Sequence, residues 1–188
     1  MTLQAKKESI FVISGPSGVG KGTLVARMLK QTPNIWESVS ATTRPPRQGE
    51  QEGISYFFMS KEGFESLIKQ DGFIEYANVH GNYYGTPLAP VMEHIASGQK
   101  VILEIDVQGA LQVKEKFPEL RLVFIAPPSL EELECRIRGR GSEDDSQIST
   151  RMKNARKELD LAKEYDVVIV NEDIDQSVQE LISVIEAN

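Results

Sequence analysis

The chain has 188 residues, of which 40% are hydrophobic and 26% charged, as in an ordinary globular domain. Its net charge of −7 argues against a general affinity for nucleic acid or acidic membranes. No apolar run approaches the roughly 20 residues that a membrane span requires. The single cysteine, Cys135, excludes an internal disulfide framework and favours a reducing, cytoplasmic location.

The first predicted element is a buried strand at residues 9–14, a short β-branched apolar run. A glycine-rich segment follows, and residues 23–31 then have helical spacing that ends before Pro33. Further apolar runs predict core strands, each followed by a helical stretch; these runs lie at 101–106, 122–126 and 167–170. Strands that alternate with helices predict an α/β fold whose parallel sheet is covered on both faces.

Residues 36–90 interrupt this alternation with short strand candidates and turn-rich connections, apart from one short helix from Lys61. They predict a small mixed or antiparallel lobe inserted into a core that comprises residues 1–35 and 91–188. The glycine- and charge-rich patch at 138–145 joins two helical segments. We interpret residues 136–151 as a helical lid.

The glycine-rich segment contains the G-x-x-x-x-G-K core of a P-loop between a strand and a helix. Its residues are Gly15, Pro16, Ser17, Gly18, Val19, Gly20, Lys21, Gly22 and Thr23. The glycines let successive N–H groups turn toward an anion, while the helix N-terminus and Lys21 add positive charge. A nucleotide site is therefore predicted here. Gly22 stands where the motif usually has a hydroxyl that reaches Mg²⁺, and Thr23 supplies one a residue later.

Arg44 and Arg47 flank two prolines that favour polyproline II, which has three residues per turn. Both guanidinium groups are thus predicted to project from one side as a clamp for a phosphate. Hydroxyl-bearing neighbours complete a candidate phosphate and base pocket; they are Ser40, Tyr56, Tyr84 and Thr86. The alternative is an exposed proline-rich loop with tyrosines that serve packing.

Three carboxylates lie in predicted strands, where charge is costly unless it is paired or functional. Glu75 lies in the inserted lobe, whereas Glu104 and Asp106 are two apart, on one face, at the carboxyl end of a core strand. An ionised carboxylate only accepts hydrogen bonds, so it suits the N1–H and N2–H₂ donors of guanine and repels the N1 acceptor of adenine. Structural ion pairing remains the alternative for each acid singly.

The motifs GPSGVGKGT, SVSATTRPPRQGE, FIEYANVHGNYYGT, LEIDVQGA, FIAPPS, RGRG and VIVNED resemble those of guanylate kinases in order and spacing. The resemblance covers residues 9–186. It implies a P-loop NTPase-type core, a GMP-binding lobe and a lid, and phosphoryl transfer from ATP to GMP. GMP contacts are implied for Ser40, Arg44, Arg47, Tyr56, Glu75, Tyr84, Thr86 and Asp106.

The same resemblance assigns lid arginines to ATP and the transferring phosphoryl group, namely Arg136, Arg140 and Arg151, and assigns Asn171 to the neighbourhood of the adenine. Phosphoryl transfer is chiefly positioning and charge stabilisation, so we predict direct in-line transfer with Mg²⁺ and no phosphoenzyme. Thr23 and Glu104 are the candidate metal contacts, through water.

Two alternatives remain open at this stage. The first is a related monophosphate kinase with a different base preference, against which Glu75 and Asp106 argue. The second is a non-catalytic guanylate-kinase-like interaction module, against which the retained Lys21 and lid arginines argue. The sequence leaves open the oligomeric state and whether dGMP is accepted alongside GMP.

Overall fold

The computed structural model describes residues 8–79, 81–139 and 144–187. Its strands are β1 (Ile10–Ser14), β2 (Ile35–Glu37), β3 (Ala41–Thr42), β4 (Phe57–Phe58), β5 (Phe73–Val79), β6 (Asn82–Pro87), β7 (Lys100–Glu104), β8 (Arg121–Ala126) and β9 (Val167–Val170). Its helices are α1 (Lys21–Leu29), α2 (Lys61–Lys69), α3 (Leu88–Ala96), α4 (Val107–Lys116), α5 (Leu130–Gly139), α6 (Asp145–Asp160) and α7 (Ile174–Glu186). Within the described ranges, no helix is both long enough and apolar enough to cross a bilayer.

The larger sheet has five parallel strands in the order β2-β7-β1-β8-β9. The side chains of β1 alternate between two cores, because successive residues of a strand point to opposite faces. Phe11 and Ile13 belong to the cluster that α1, α5, α6 and α7 cover, while Ile10 and Val12 belong to the one that α3 and α4 cover. The predicted parallel sheet flanked by helices is confirmed.

The smaller sheet is formed within residues 41–87 and has the order β4-β3-β6-β5. Its β3–β4 pair is parallel, whereas β6 runs antiparallel to both β3 and β5. The sheet is therefore mixed. A small aromatic core supports it, in which Phe64 of α2 stacks between Phe73 and Tyr83 with ring centroids 4.2 and 5.1 Å away.

One local prediction needs correction. The strand predicted at 101–106 ends at Glu104, because Asp106 is extended and begins α4 as its N-cap. At the start of α5, Ser129 Oγ accepts from the Glu132 N–H at 3.1 Å, but the Glu132 carboxylate pairs with Arg136 at 2.8 Å. A complete capping box begins α6 at Asp144.

Candidate active site

The P-loop joins β1 to α1 and is folded around the ammonium group of its own lysine. Gly15, Gly18 and Gly20 have φ values of 144°, 90° and 100°, which residues with a side chain rarely adopt. Lys21 Nζ donates to the carbonyl oxygens of Gly15 at 2.6 Å and Pro16 at 3.1 Å. These contacts keep the lysine charge inside the loop, where a phosphate would be bound.

The P-loop backbone is braced from two sides. Asn171, directly after β9, is only 4% exposed and donates from Nδ2 to the carbonyl of Val19 at 2.8 Å. A Cβ on Gly20 would lie 2.7 Å from that same nitrogen, and one on Gly18 would lie 2.7 Å from Ile137 of α5. The loop therefore packs too closely against both neighbours to accept side chains at these two glycines.

Two of the three predicted lid arginines reach the P-loop in this structure. Arg136 of α5 lies with Nη1 3.4 Å from the Val19 carbonyl oxygen, and Arg151 of α6 donates to Ser17 Oγ at 2.5 Å. Arg140 lies outside the described residues. The two helices that flank residues 140–143 thus already bring cationic groups to the anion site.

The carboxylate of Glu104 lies beside the start of α1. A Cβ added to Gly22 would be 3.6 and 3.8 Å from its two oxygens. Burial raises the pKa of Glu104, and the nearby Lys21 charge opposes that shift. Thr23 is exposed in the first turn of α1. The Glu104 carboxylate therefore lies close to the P-loop lysine.

A second cleft, of about 270 Å³, opens between the smaller sheet and the carboxyl ends of β7 and its neighbours. Its lining residues are Ser40, Tyr56, Glu75, Ala77, Val79, Tyr84, Gly85, Glu104, Ile105 and Asp106. The cleft thus combines tyrosine rings and small apolar groups with three carboxylates, which suits a flat ligand rich in hydrogen-bond donors.

Two of these carboxylates are held by specific hydrogen bonds. Glu75 is 8% exposed, and its Oε1 accepts from Thr86 Oγ1 at 2.7 Å; Thr86 itself is fully buried behind it. Asp106 Oδ1 accepts from the Gly109 N–H of α4 at 2.7 Å. Burial is the main cause that raises the pKa of Glu75; Thr86 opposes it and Asp106 adds to it.

The Arg44–Arg47 loop is organised by an acid that the sequence analysis missed. Glu50 pairs through Oε1 with Arg44 Nη2 at 2.8 Å, and its Oε2 accepts from the Arg47 N–H at 2.7 Å. The Arg44 guanidinium lies 5.5 Å from the ring centroid of Tyr56, whose ring meets that of Tyr84 edge-on at 6.0 Å. Arg44 is half-buried in this cluster, whereas Arg47 is exposed.

Two further acids at this edge of the sheet were also missed. Glu37 ends β2 beside Glu104, and burial followed by repulsion from Glu104 raises its pKa to about 7. Glu158 of α6 has a pKa raised by burial, with Lys21 opposing the shift and Asp106 adding to it. No periodicity or motif distinguishes either acid from a surface glutamate, so only the fold reveals them.

The model of the guanylate kinase family matches residues 7–188. A guanylate kinase of Parasynechococcus marenigrum (strain WH8102) is 53% identical over 173 residues, which cover 92% of this chain and 95% of the relative. One of Fusobacterium nucleatum subsp. nucleatum is 52% identical over 178 residues, covering 95% of this chain and 96% of the relative.

A solved structure gives the same result. The crystal structure of guanylate kinase from Anaplasma phagocytophilum superposes with a TM-score of 0.73 at 37% identity, and the match covers 95% of this chain and 84% of that one. The family model and the curated relatives extend over almost the whole chain, including the P-loop, the carboxylate-lined cleft and the helices α5 and α6. The chain belongs to the guanylate kinase family.

Proposed function

We propose that this chain transfers the γ-phosphoryl group of ATP to GMP, giving ADP and GDP. The observation that carries the proposal is the position of Glu104, which lines the carboxylate-rich cleft and also lies beside Gly22 of the P-loop. A donor phosphate on the P-loop and an acceptor in the cleft would thus be neighbours. Direct transfer needs that proximity.

Guanine fits the chemistry of the cleft. Glu75 and Asp106 each have one oxygen occupied, by Thr86 and by the Gly109 N–H respectively. A carboxylate has about four lone-pair sites, so both groups could still accept from N1–H and N2–H₂ of guanine. Adenine would present an acceptor to the same carboxylates; Asp106 is exposed, but repulsion at the buried Glu75 would reject AMP by roughly 10⁴-fold.

The GMP phosphate fits the rim formed by the Arg44–Glu50 pair and the two tyrosines. Arg44 is half-buried and charged, and its geometry is fixed by Glu50 and by the Tyr56 ring. Tyr84 adds a phenol hydroxyl at the mouth of the cleft. We assign Arg47 to the same phosphate from the exposed side of the loop, and Ser40 to the base.

The transfer itself asks for charge stabilisation rather than a protein nucleophile. Lys21 would leave the loop carbonyls for the β- and γ-phosphates, since an anion is a stronger partner than a carbonyl. Arg136 and Arg151 already reach the P-loop and would follow the charge that spreads over the transferred group. We assign Arg140 to the same task and Asn171 to the ATP site.

The oxygen donors near Lys21 fit a hydrated Mg²⁺, which typically keeps several waters and binds through one or two carboxylates plus substrate phosphates. Glu104 would hold such water, with Thr23 as a further outer contact. When bound, the metal would neutralise charge on the β- and γ-phosphates. Within the described ranges, no three His, Cys, Asp or Glu side chains converge as a protein-built metal cage.

We propose the corresponding division of labour along the chain. Residues 36–90 form the GMP-binding lobe, and residues 136–151 form a lid that closes over both nucleotides to exclude water. The core comprises residues 1–35 and 91–188. A cytoplasmic reaction agrees with the single cysteine, and we expect ATP and GMP to be the substrates, with dGMP as a second acceptor.

A coupled assay of ADP release tests the proposal directly. ATP turnover should depend on GMP or dGMP and should stay at background with AMP, UMP or dTMP. The Lys21→Ala variant should keep its fold and lose nearly all turnover. A folded wild-type protein without GMP-dependent turnover would overturn the activity and favour a non-catalytic binding module.

A further inference from the structure

Two helices of this protein begin in the same way. In α4 the N-cap Asp106 accepts from the N–H of Gly109, three residues on, at 2.7 Å. In α2 the N-cap Ser60 accepts from the N–H of Gly63, also three residues on, at 3.1 Å. Both glycines occupy the third helical position, and neither has a positive φ. The backbone conformation therefore does not require glycine at either position.

The two glycines differ in what approaches them. A Cβ on Gly109 would lie 3.0 Å from Oε2 of Glu75 and 3.4 Å from Oδ1 of Asp106. A Cβ on Gly63 would meet only its own cap, Ser60 Oγ, at 3.4 Å. The missing side chain at Gly109 thus makes room for a carboxylate that belongs to a strand of the other sheet.

Glu75 has little freedom to avoid a methyl group at this place. Its side chain is 8% exposed, and Oε1 is bound by the fully buried Thr86 at 2.7 Å. A contact of 3.0 Å between carbon and oxygen must lengthen by a few tenths of an ångström. The available direction is toward the cleft, because α4 lies behind the carboxylate and the cleft in front of it.

We propose that Gly109 is a positioning residue for guanine recognition: its missing Cβ sets the depth and the spacing of the Glu75 and Asp106 carboxylates. The inference rests on the proposed function of the cleft as the GMP site. Helix propensity argues for the same view, since alanine is favoured over glycine inside a helix. Glycine at position 109 lacks this gain in helix stability, and it lies where the Glu75 and Asp106 carboxylates approach each other.

The test compares Gly109→Ala with the matched control Gly63→Ala. The Gly109→Ala protein should fold with an unchanged or raised Tm, yet its KM for GMP should rise about tenfold, because a small misplacement of recognition groups is costly. Its KM for ATP and its kcat should stay within about twofold of wild type. Its preference for GMP over IMP, which lacks the 2-amino group, should fall. The Gly63→Ala protein should match wild type in every kinetic constant.

A second background isolates the cause. Glu75→Asp shortens the side chain and withdraws the carboxylate from Gly109, so adding Gly109→Ala to it should change the KM for GMP by less than about twofold. The inference is overturned if Gly109→Ala leaves the KM for GMP unchanged, if it lowers Tm and raises both KM values alike, or if its effect is equal in both backgrounds. Absence of GMP-dependent turnover in wild type would instead overturn the proposed function.

Discussion

The Nδ2 group of Asn171 donates to the carbonyl oxygen of Val19 at 2.8 Å and thereby ties the end of β9 to the P-loop. Arg136 of α5 approaches the same carbonyl at 3.4 Å. One peptide group of the P-loop is thus in contact with both the core sheet and α5. Asn171 is only 4% exposed and makes this contact, so it supports the P-loop directly.

If Asn171 braces the P-loop, its loss should reduce turnover by the same factor whichever base the nucleoside triphosphate donor carries. Asn171→Ala leaves a buried carbonyl without its amide donor, which costs about 1–3 kcal/mol of stability, and it loosens the loop around the phosphates. We expect kcat/KM for ATP to fall about tenfold or more, with the KM for GMP unchanged. Urea denaturation and steady-state kinetics measure the two effects.

Using ITP as an alternative donor separates bracing from adenine recognition. Loss of bracing should reduce turnover with ATP and ITP by the same factor, because both present the same triphosphate. A loss confined to ATP would show that the Asn171 amide acts on the adenine ring and that its contact with Val19 is secondary.

Glu50 should matter for GMP binding although it is an acid next to the proposed site of the GMP phosphate. Its carboxylate fixes the Arg44 guanidinium and the Arg47 backbone at once, and pairing with Arg44 is the main cause that lowers the pKa of Glu50. Glu50→Gln should raise the KM for GMP about tenfold, because the variant loses the charge-assisted hydrogen bond that holds the Arg44 guanidinium in place. The KM for ATP should not change. Coupled kinetics with each substrate varied in turn measures this.

The matched control is Asp175→Asn, which removes the exposed ion pair between Arg27 and Asp175. Exposed pairs contribute little, so both KM values should stay within about twofold of wild type. A lower KM for GMP in Glu50→Gln would mean that Glu50 competes with the phosphate for Arg44 instead of orienting it.

Much of this architecture follows from local sequence pattern. The buried run before the glycines and the lysine after them predicted β1, the loop and α1, because these signals lie within about 20 residues of each other. Glu104 and Asp106 were expected on one face, and both line the cleft. Glu104 is the last residue of β7, whereas Asp106 is the N-cap of α4. The sequence did not predict this difference, since an aspartate has the same local pattern at the end of a strand as at a helix N-cap.

What could not be predicted depends on contacts between distant segments. Asn171 meets Val19 across 152 positions, and Gly109 makes room for Glu75 from another sheet. Neither residue carries a charge or a periodicity that would reveal its neighbour. Glu50 is the exception, because a carboxylate three residues after Arg47 in a turn-rich segment was a visible signal that could have been used.

The surroundings of Gly22 predict how a serine hydroxyl at this position would change stability and the magnesium requirement. A Cβ at this position would lie 3.6 and 3.8 Å from the Glu104 oxygens, an ordinary contact, and Gly22 lies in the first turn of α1 without a positive φ. Gly22→Ser should therefore fold and gain roughly 0.5 kcal/mol from helix propensity. It should also lower the Mg²⁺ concentration needed for half-maximal activity. Magnesium titration of turnover measures the second effect.

Thr23→Val gives the complementary control, because it removes the hydroxyl and keeps the shape. If Thr23 is only an outer contact, its loss should raise the magnesium requirement by less than about threefold. A Gly22→Ser protein with an unchanged magnesium requirement would show that the extra hydroxyl does not reach the metal.

We predict that replacing the Glu75 carboxylate, which is proposed to bind guanine, makes the protein more stable. Its pKa is raised above the ordinary value of 4.5, first by burial, so between pH 4.5 and that raised pKa the folded state holds a proton that the unfolded state releases. Stability must then fall as the pH rises from 4.5 through the raised pKa, and the loss persists above it. Glu75→Gln removes this titration and keeps an oxygen that accepts from Thr86.

We therefore expect Glu75→Gln to exceed wild type in free energy of unfolding at about pH 8, with the difference shrinking toward about pH 5. Urea denaturation of both proteins across this range measures it. The same variant should raise the KM for GMP far more than the KM for ATP, because a carboxamide presents only one acceptor where the carboxylate presents two. A stability difference that grows toward acid pH would instead mean that Glu75 is held ionised in the folded protein, with a lowered pKa.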